Sequence, residues 1–247
     1  MWNNFQVQDY EGMIAETVNL KTADGRIFNA YYSRPLGAGP YPSILLIPHM
    51  PGWDEFCRET ARRFTQHKYA VICPNIYAKY GKGTPIEVVG RMREEGIRAD
   101  DNDVMDECES SIDFLRQQVT SNGKVGVIGM CSGGRHTFMA ACRLEGIDAA
   151  VDCWGGGVMT GDPAPIDEAD GLDCPLLGIF GNDDMHPSPA EVDAMEEVLK
   201  EKGKDYEFHR YDGAGHGIWY YDKPMYRQQQ AMESLEVVGE FFEKHLR

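Results

Sequence analysis

Short strand-like runs alternate along this chain with segments whose apolar residues recur at helical spacing, and that alternation restricts the fold more than any other feature. The runs are SILLIP (43–48), YAVICP (69–74), KVGVIGM (124–130), AAVDCW (149–154), PLLGIF (175–180) and YEFHRY (206–211). Helices are expected over 54–67, with Asp54 as cap, over 101–120, where Val104, Cys108, Ile112 and Leu115 share a face, and over 132–144, 189–202 and 224–245. Ahead of them, residues 16–34 read as two alternating strands around the Asp24-Gly25 turn. Residues 75–100, rich in Gly, Tyr and Lys before a charged helical piece, are the least regular and could cover a site. The pattern predicts an α/β fold, with a mostly parallel central sheet and helices on both faces. No repeat, low-complexity tract or long linker interrupts it, so residues 1–247 are expected to form a single domain.

Forty acidic side chains against 24 basic ones leave a formal charge of −16. A surface so acidic argues against nucleic acid or an anionic membrane as the main partner, since both need a basic face. The first residues, MWNNFQVQDYEGM, lack a basic region followed by an apolar one, so no secretory leader is expected there. No apolar run reaches the roughly 18–20 residues that span a bilayer. A cytoplasmic protein acting on a small molecule, as a monomer or weak homo-oligomer, is the expectation.

Seven cysteines stand at 57, 73, 108, 131, 142, 153 and 174, odd in number, scattered and without a C-x-x-C pair. That excludes a secreted disulfide framework and a zinc ribbon. His186 and His209 also lack ligand spacing, so neither metal nor organic cofactor is expected. Most of these thiols are expected to pack as small hydrophobes. Cys131 differs in its setting, Gly129-Met130-Cys131-Ser132-Gly133-Gly134, at the junction of a strand and a helix. In a G-x-nucleophile-x-G turn the small flanking residues let a strained backbone present the central side chain above a helix N-terminus, which favours a thiolate. The bland alternative is a glycine-rich packing turn with an incidental cysteine. G-x-G-x-x-G is absent, and Arg135 stands where a phosphate-binding loop needs Lys-Ser or Lys-Thr.

Later strand exits supply the partners that such a nucleophile needs. GNDDMHPSP follows the 175–180 run with Asp183 and Asp184, and DGAGHGIW follows the 206–211 run with His216. Nucleophile, acid and histidine then occur in the order that α/β-hydrolases use. Alternatively, the aspartates cap the next helix and His216 bonds only to backbone.

With these motifs the chain resembles the dienelactone hydrolase family of α/β-hydrolases over nearly its full length. GVIGMCSGG (126–134), FGNDDMHPSP (180–189) and YDGAGHGI (211–218) carry the resemblance, supported by LLIPHMPGW (45–53) and CPNIYAK (73–79). The resemblance implies Cys131 as nucleophile, His216 as base and Asp184 as acid, with Asp183 the runner-up. It also implies an oxyanion hole from the backbone N–H groups of Ser132 and Met50. His49 stands where many members carry a glutamate, and Lys79 where diene-lactone enzymes carry an arginine for the substrate carboxylate. Lysine is the less directional anchor. Trp53, Tyr77, Tyr80, Trp154, Trp219 and Tyr220 are near the expected site loops, and His49, Lys79, Trp53, Tyr77 and Trp219 are the candidates for touching substrate.

The expected activity is hydrolysis of an ester or lactone through a Cys-His-Asp triad and an acyl-enzyme. The alternative is a non-hydrolytic sensor or binding protein on the same fold.

Overall fold

The computed structural model describes residues 12–247, and the expectation drawn on the first residues lies outside them. The described residues group into two compact units, 12–125 and 126–247.

In the first unit, β1 (Met13–Lys21) and β2 (Ile27–Pro35) form an antiparallel hairpin that pairs Leu20 with Phe28. The strand order is β1-β2-β4-β3, with β3 (Tyr41–Ile47) and β4 (Ala70–Pro74) parallel. Every residue of β3 and β4 is buried, which is why these strands read as unbroken apolar runs. Helix α1 (Glu55–Gln66) starts at Asp54, whose carboxylate accepts the Cys57 N–H at 3.1 Å. Its buried stripe is Phe56, Cys57, Thr60, Ala61 and Phe64, at the expected spacing.

The charged piece in residues 75–100 is helix α2 (Pro85–Glu94). Thr84 and Glu87 form a reciprocal capping box with Pro85 in the first turn. Helix α3 (Asp101–Arg116) ends four residues before the expected Thr120, because Gln117, Gln118 and Ser121 turn back onto Asp113, Leu115 and Gln118.

Arg26, at the end of the β1–β2 turn, reaches across to α3. Its guanidinium pairs with Glu107, whose side chain is 1% exposed, and with Asp103 at 3.5 Å. Burial pushes the Glu107 carboxyl up to about 7 in spite of the arginine. Arg26→Ala leaves that carboxylate buried without its counter-ion, and is expected to cost about 3 kcal/mol near pH 8. The cost shrinks near about pH 5, where Glu107 takes up a proton. Thermal unfolding of the variant at both pH values checks this, and equal losses would contradict it.

Strand β5 (Ser121–Met130) carries the chain into the second unit. There β5, β6 (Ala149–Cys153), β7 (Leu176–Gly181) and β8 (Tyr206–Tyr211) run parallel in that order. Helices α4 (Ser132–Arg143), α5 (Pro189–Glu201) and α6 (Gln228–Leu246) belong to this unit. Helix α6 begins at Gln228 and not at the expected Pro224, since Lys223 and Tyr226 close consecutive turns onto Tyr220 and Lys223. Among the described residues no helix is long and apolar enough to cross a membrane.

Parallel strands leave their carboxyl ends on one edge, which is where open α/β sheets place their ligand sites. Cys131, Asp184 and His216 follow the ends of β5, β7 and β8.

Candidate active site

Glycine-flanked backbone defines the first member of the site. Cys131 has φ 56° and ψ −121°, a conformation rare for a residue with a Cβ. Its N–H donates to the Cys153 carbonyl at 3.0 Å, and its own carbonyl accepts the Gly134 N–H at 3.0 Å. The chain therefore reverses from β5 into α4 within one residue. Ser132 is the first residue of α4, and N–H groups there have no partner in the preceding helical turn.

The second and third members meet across two loops. His216 Nδ1 lies 2.9 Å from Asp184 Oδ2, the carboxylate side chain being 4% and the imidazole 35% exposed. The other carboxylate oxygen of Asp184 accepts the His186 N–H at 2.9 Å, which fixes the plane of the carboxyl group. Asp183 is exposed, and its N–H holds the Ala214 carbonyl at 2.9 Å, so it ties together the two loops and leaves the histidine to Asp184. His216 also hydrogen-bonds the Cys131 thiol. Burial, the largest influence on this imidazole, opposes its charge. The bonds to Asp184 and Cys131 outweigh burial and push its pKa up to about 10.

A fully buried carboxyl sits behind the Cys131 turn. Asp152 Oδ1 accepts the Gly155 N–H at 2.8 Å, and a Cβ on either Gly134 or Gly155 would fall 2.3 Å from that same oxygen. Burial pushes Asp152 up to about 7, against the lowering bond from Gly155. The sequence signal for it was a lone acid inside the apolar run AAVDCW, which periodicity alone reads as strand. Beside it Trp154 takes φ 44° and packs edge-on against Trp219, with ring centres 5.2 Å apart. Trp219 is 4% exposed and donates its indole N–H to Ser234 Oγ at 2.8 Å, so this substrate-contact candidate packs into the interior.

The remaining candidates belong to the first unit. Met50 is partly exposed, with the Arg93 guanidinium against its sulfur. Trp53 packs edge-on against Tyr31 at 6.5 Å, and Tyr77 is buried. The Lys79 ammonium, a candidate for touching substrate, is paired with Asp103. His49, which stands where many family members carry a glutamate, has Nε2 3.0 Å from Asp54 Oδ2 and a hydrogen bond to Cys57. Burial again opposes the imidazolium, and these two partners push it up to about 9.

A thiol, an imidazole and a carboxylate in one hydrogen-bonded line can carry out acyl transfer. Comparison with known proteins agrees in kind: the model of the dienelactone hydrolase family matches residues 28–246. The chain belongs to the dienelactone hydrolase family. A candidate carboxymethylenebutenolidase of Methylorubrum extorquens is 28% identical over 245 residues, 96% of this chain and 83% of that one. The carboxymethylenebutenolidase of Pseudomonas putida is 32% identical over 151 residues, 59% of this chain and 63% of that one. Among solved structures, a candidate dienelactone hydrolase of Klebsiella pneumoniae superposes with a TM-score of 0.86 at 23% identity, covering 95% of this chain and all of that one. The fold of this dienelactone hydrolase family member is therefore that of the α/β-hydrolases, and the protein is a hydrolase.

Proposed function

We propose that this hydrolase cleaves a small-molecule ester or lactone through a Cys131-His216-Asp184 triad and an acyl-enzyme. The observation that carries this reading is His216 held between Asp184, at 2.9 Å, and the thiol of Cys131 on its positive-φ turn. The named relatives are carboxymethylenebutenolidases, which supports a lactone as the substrate class.

Asp184 takes Nδ1–H, which leaves Nε2 for the sulfur and sets the tautomer. The Cys131 thiolate attacks the carbonyl carbon, forming the C–S bond and placing the displaced electron pair on oxygen. The N–H of Ser132 stabilises that oxyanion, such a donor being worth a few kcal/mol. Collapse breaks the ester C–O bond, and His216 gives its proton to the departing alkoxide, which in a lactone stays tethered to the acyl group. Water then adds to the thioester with His216 taking its proton, the C–S bond breaks, and acid and thiol are regenerated. None of these steps needs an oxidant, a reductant or a cofactor.

A panel of lactones, enol-lactones and aryl esters, with mass detection of an acyl adduct on the Cys131 peptide, tests the reading. An adduct on another residue, or turnover that survives loss of the thiol, would refute it.

The raised pKa of His216 sets a pH dependence. Its imidazolium persists through neutral pH and is lost near 10, so kcat for an alkyl ester should be level from about pH 7 to about 9 and then fall. The bond to Asp184 also stabilises the folded state fully below the unfolded pKa of 6.5, and this contribution fades as pH rises through about 10. A rate profile rising steadily across that alkaline range would contradict the assignment of His216 as the acid.

A further inference from the structure

We propose that His49, Asp54 and Cys57 form a binding site for a single zinc ion, separate in its ligands from the Cys131-His216-Asp184 set. The imidazole nitrogen, carboxylate oxygen and sulfur all lie within 4.8 Å of one another. Around zinc, bonds of about 2.0 Å to nitrogen and oxygen and about 2.3 Å to sulfur place neighbouring tetrahedral ligand atoms about 3.3–3.5 Å apart. The His49 Nε2 to Asp54 Oδ2 edge, at 3.0 Å, is already near that length. The sulfur, within 4.8 Å of both, has to move inward by no more than about 1.3 Å to complete the triangle.

The local chain explains why these three converge. His49 leaves the carboxyl end of β3, and Asp54 and Cys57 occupy the cap and third position of α1, three residues apart on one face. The second carboxylate oxygen, Oδ1, is held by the Cys57 N–H at 3.1 Å, which aims Oδ2 at the imidazole as an outer-shell bond aims a ligand. Phe56 packs on the His49 ring at 5.7 Å, and the Cys57 thiol hydrogen-bonds Cys73. Imidazole, thiolate and carboxylate together suit zinc better than magnesium or calcium.

Charge balance also fits. The N-terminus of α1 disfavours a cation, but one thiolate and one carboxylate neutralise a divalent ion. As the Zn–S and Zn–N bonds form, the Cys57 thiol proton and the His49 Nε2 proton pass to buffer, and nothing is oxidised or reduced. The Asp54 side chain is 33% exposed, so the ion enters from that side and water takes the fourth position. The spacing H-x4-D-x2-C resembles no zinc ribbon, which is why a search for paired cysteines or histidines passes over it.

The test uses the full-length Cys131→Ala protein, so that the other cysteine-histidine-aspartate set cannot answer for this one. Titration with cobalt(II) should give one equivalent of binding, a thiolate charge-transfer band and tetrahedral visible bands, all removed by one equivalent of zinc. Adding Cys57→Ala or His49→Gln should remove the charge-transfer band or weaken zinc binding by at least about tenfold, judged by competition with a chromogenic chelator. Asp54→Asn keeps a capping side chain, so it serves if either variant fails to fold, and it too should weaken binding by about tenfold. Absence of the thiolate band in the Cys131→Ala protein, or unchanged affinity in the folded Asp54→Asn variant, overturns the proposal.

Discussion

Replacing Cys131 by alanine, or His216 by alanine, is expected to lower kcat/KM on any ester or lactone substrate by about 10⁴-fold or more, with thermal stability nearly unchanged in the cysteine variant and lowered in the histidine variant, which leaves the buried Asp184 carboxylate without its partner. The loss should be similar for the two single variants and for the double, because the residues act as one unit along a single hydrogen-bonded line. Asp184→Asn should approach the same deficit, since an amide at that position no longer selects the Nδ1–H tautomer. Cys131→Ser keeps the turn yet loses most activity, because a serine hydroxyl needs a stronger base than a thiol does. Steady-state rates on the four single variants and the double, with circular dichroism as the fold control, decide the matter. Additive losses in the double variant, or full turnover by the serine variant, would show that the three groups do not work together.

The largest effect expected from a residue that never touches substrate is at Gly129. A Cβ there would lie 2.1 Å from the Gly133 carbonyl oxygen and 2.7 Å from Thr137 Oγ1. The oxygen belongs to the backbone of α4, so it can move only if the first turn of the helix moves with it. Gly129→Ala should therefore destabilise the protein by about 3 kcal/mol. It should also cut kcat by about 10²-fold, because displacing the helix start displaces the Cys131 backbone and the Ser132 N–H. Unfolding in urea and a substrate titration give the two numbers separately. A variant with native stability and native kcat would mean that α4 can slide, against the close packing around Gly129, Gly134 and Gly155.

Much of this could be read before any coordinates. The apolar runs that became β3, β4, β6 and β7 were legible because every residue of each strand is buried, leaving no polar alternation to confuse the pattern. The meeting of Cys131, Asp184 and His216 was legible because each follows a strand end, and chain order then does the work of geometry. Helix α2 was within reach too, since Thr84-Pro85 followed by Glu87 is a helix start that lay hidden in an apparently irregular segment. What stayed illegible depends on contacts between distant residues. Nothing local says that Lys79 turns to Asp103, or that Trp219 spends its indole N–H on Ser234. The pairing of His49 with Asp54 needs the chain to fold back through the PGW turn onto the first turn of α1. Asp152 is illegible for a different reason: a buried acid in a strand gives no hint of the two glycines that close around it.

The distribution of thiols has a practical consequence for chemical labelling. Cys57, Cys73, Cys108, Cys153 and Cys174 are buried, and only Cys131 and Cys142 are partly accessible. Burial pushes Cys142 up to about 12, so at neutral pH it remains an unreactive thiol. Cys131 alone combines access with a hydrogen-bonded imidazole. A limiting amount of iodoacetamide should therefore alkylate one cysteine in seven, abolishing turnover in proportion to the label incorporated. On the proposed mechanism Cys131 then serves as an active-site titrant, and the fraction of competent molecules in any preparation can be counted from a single covalent mark.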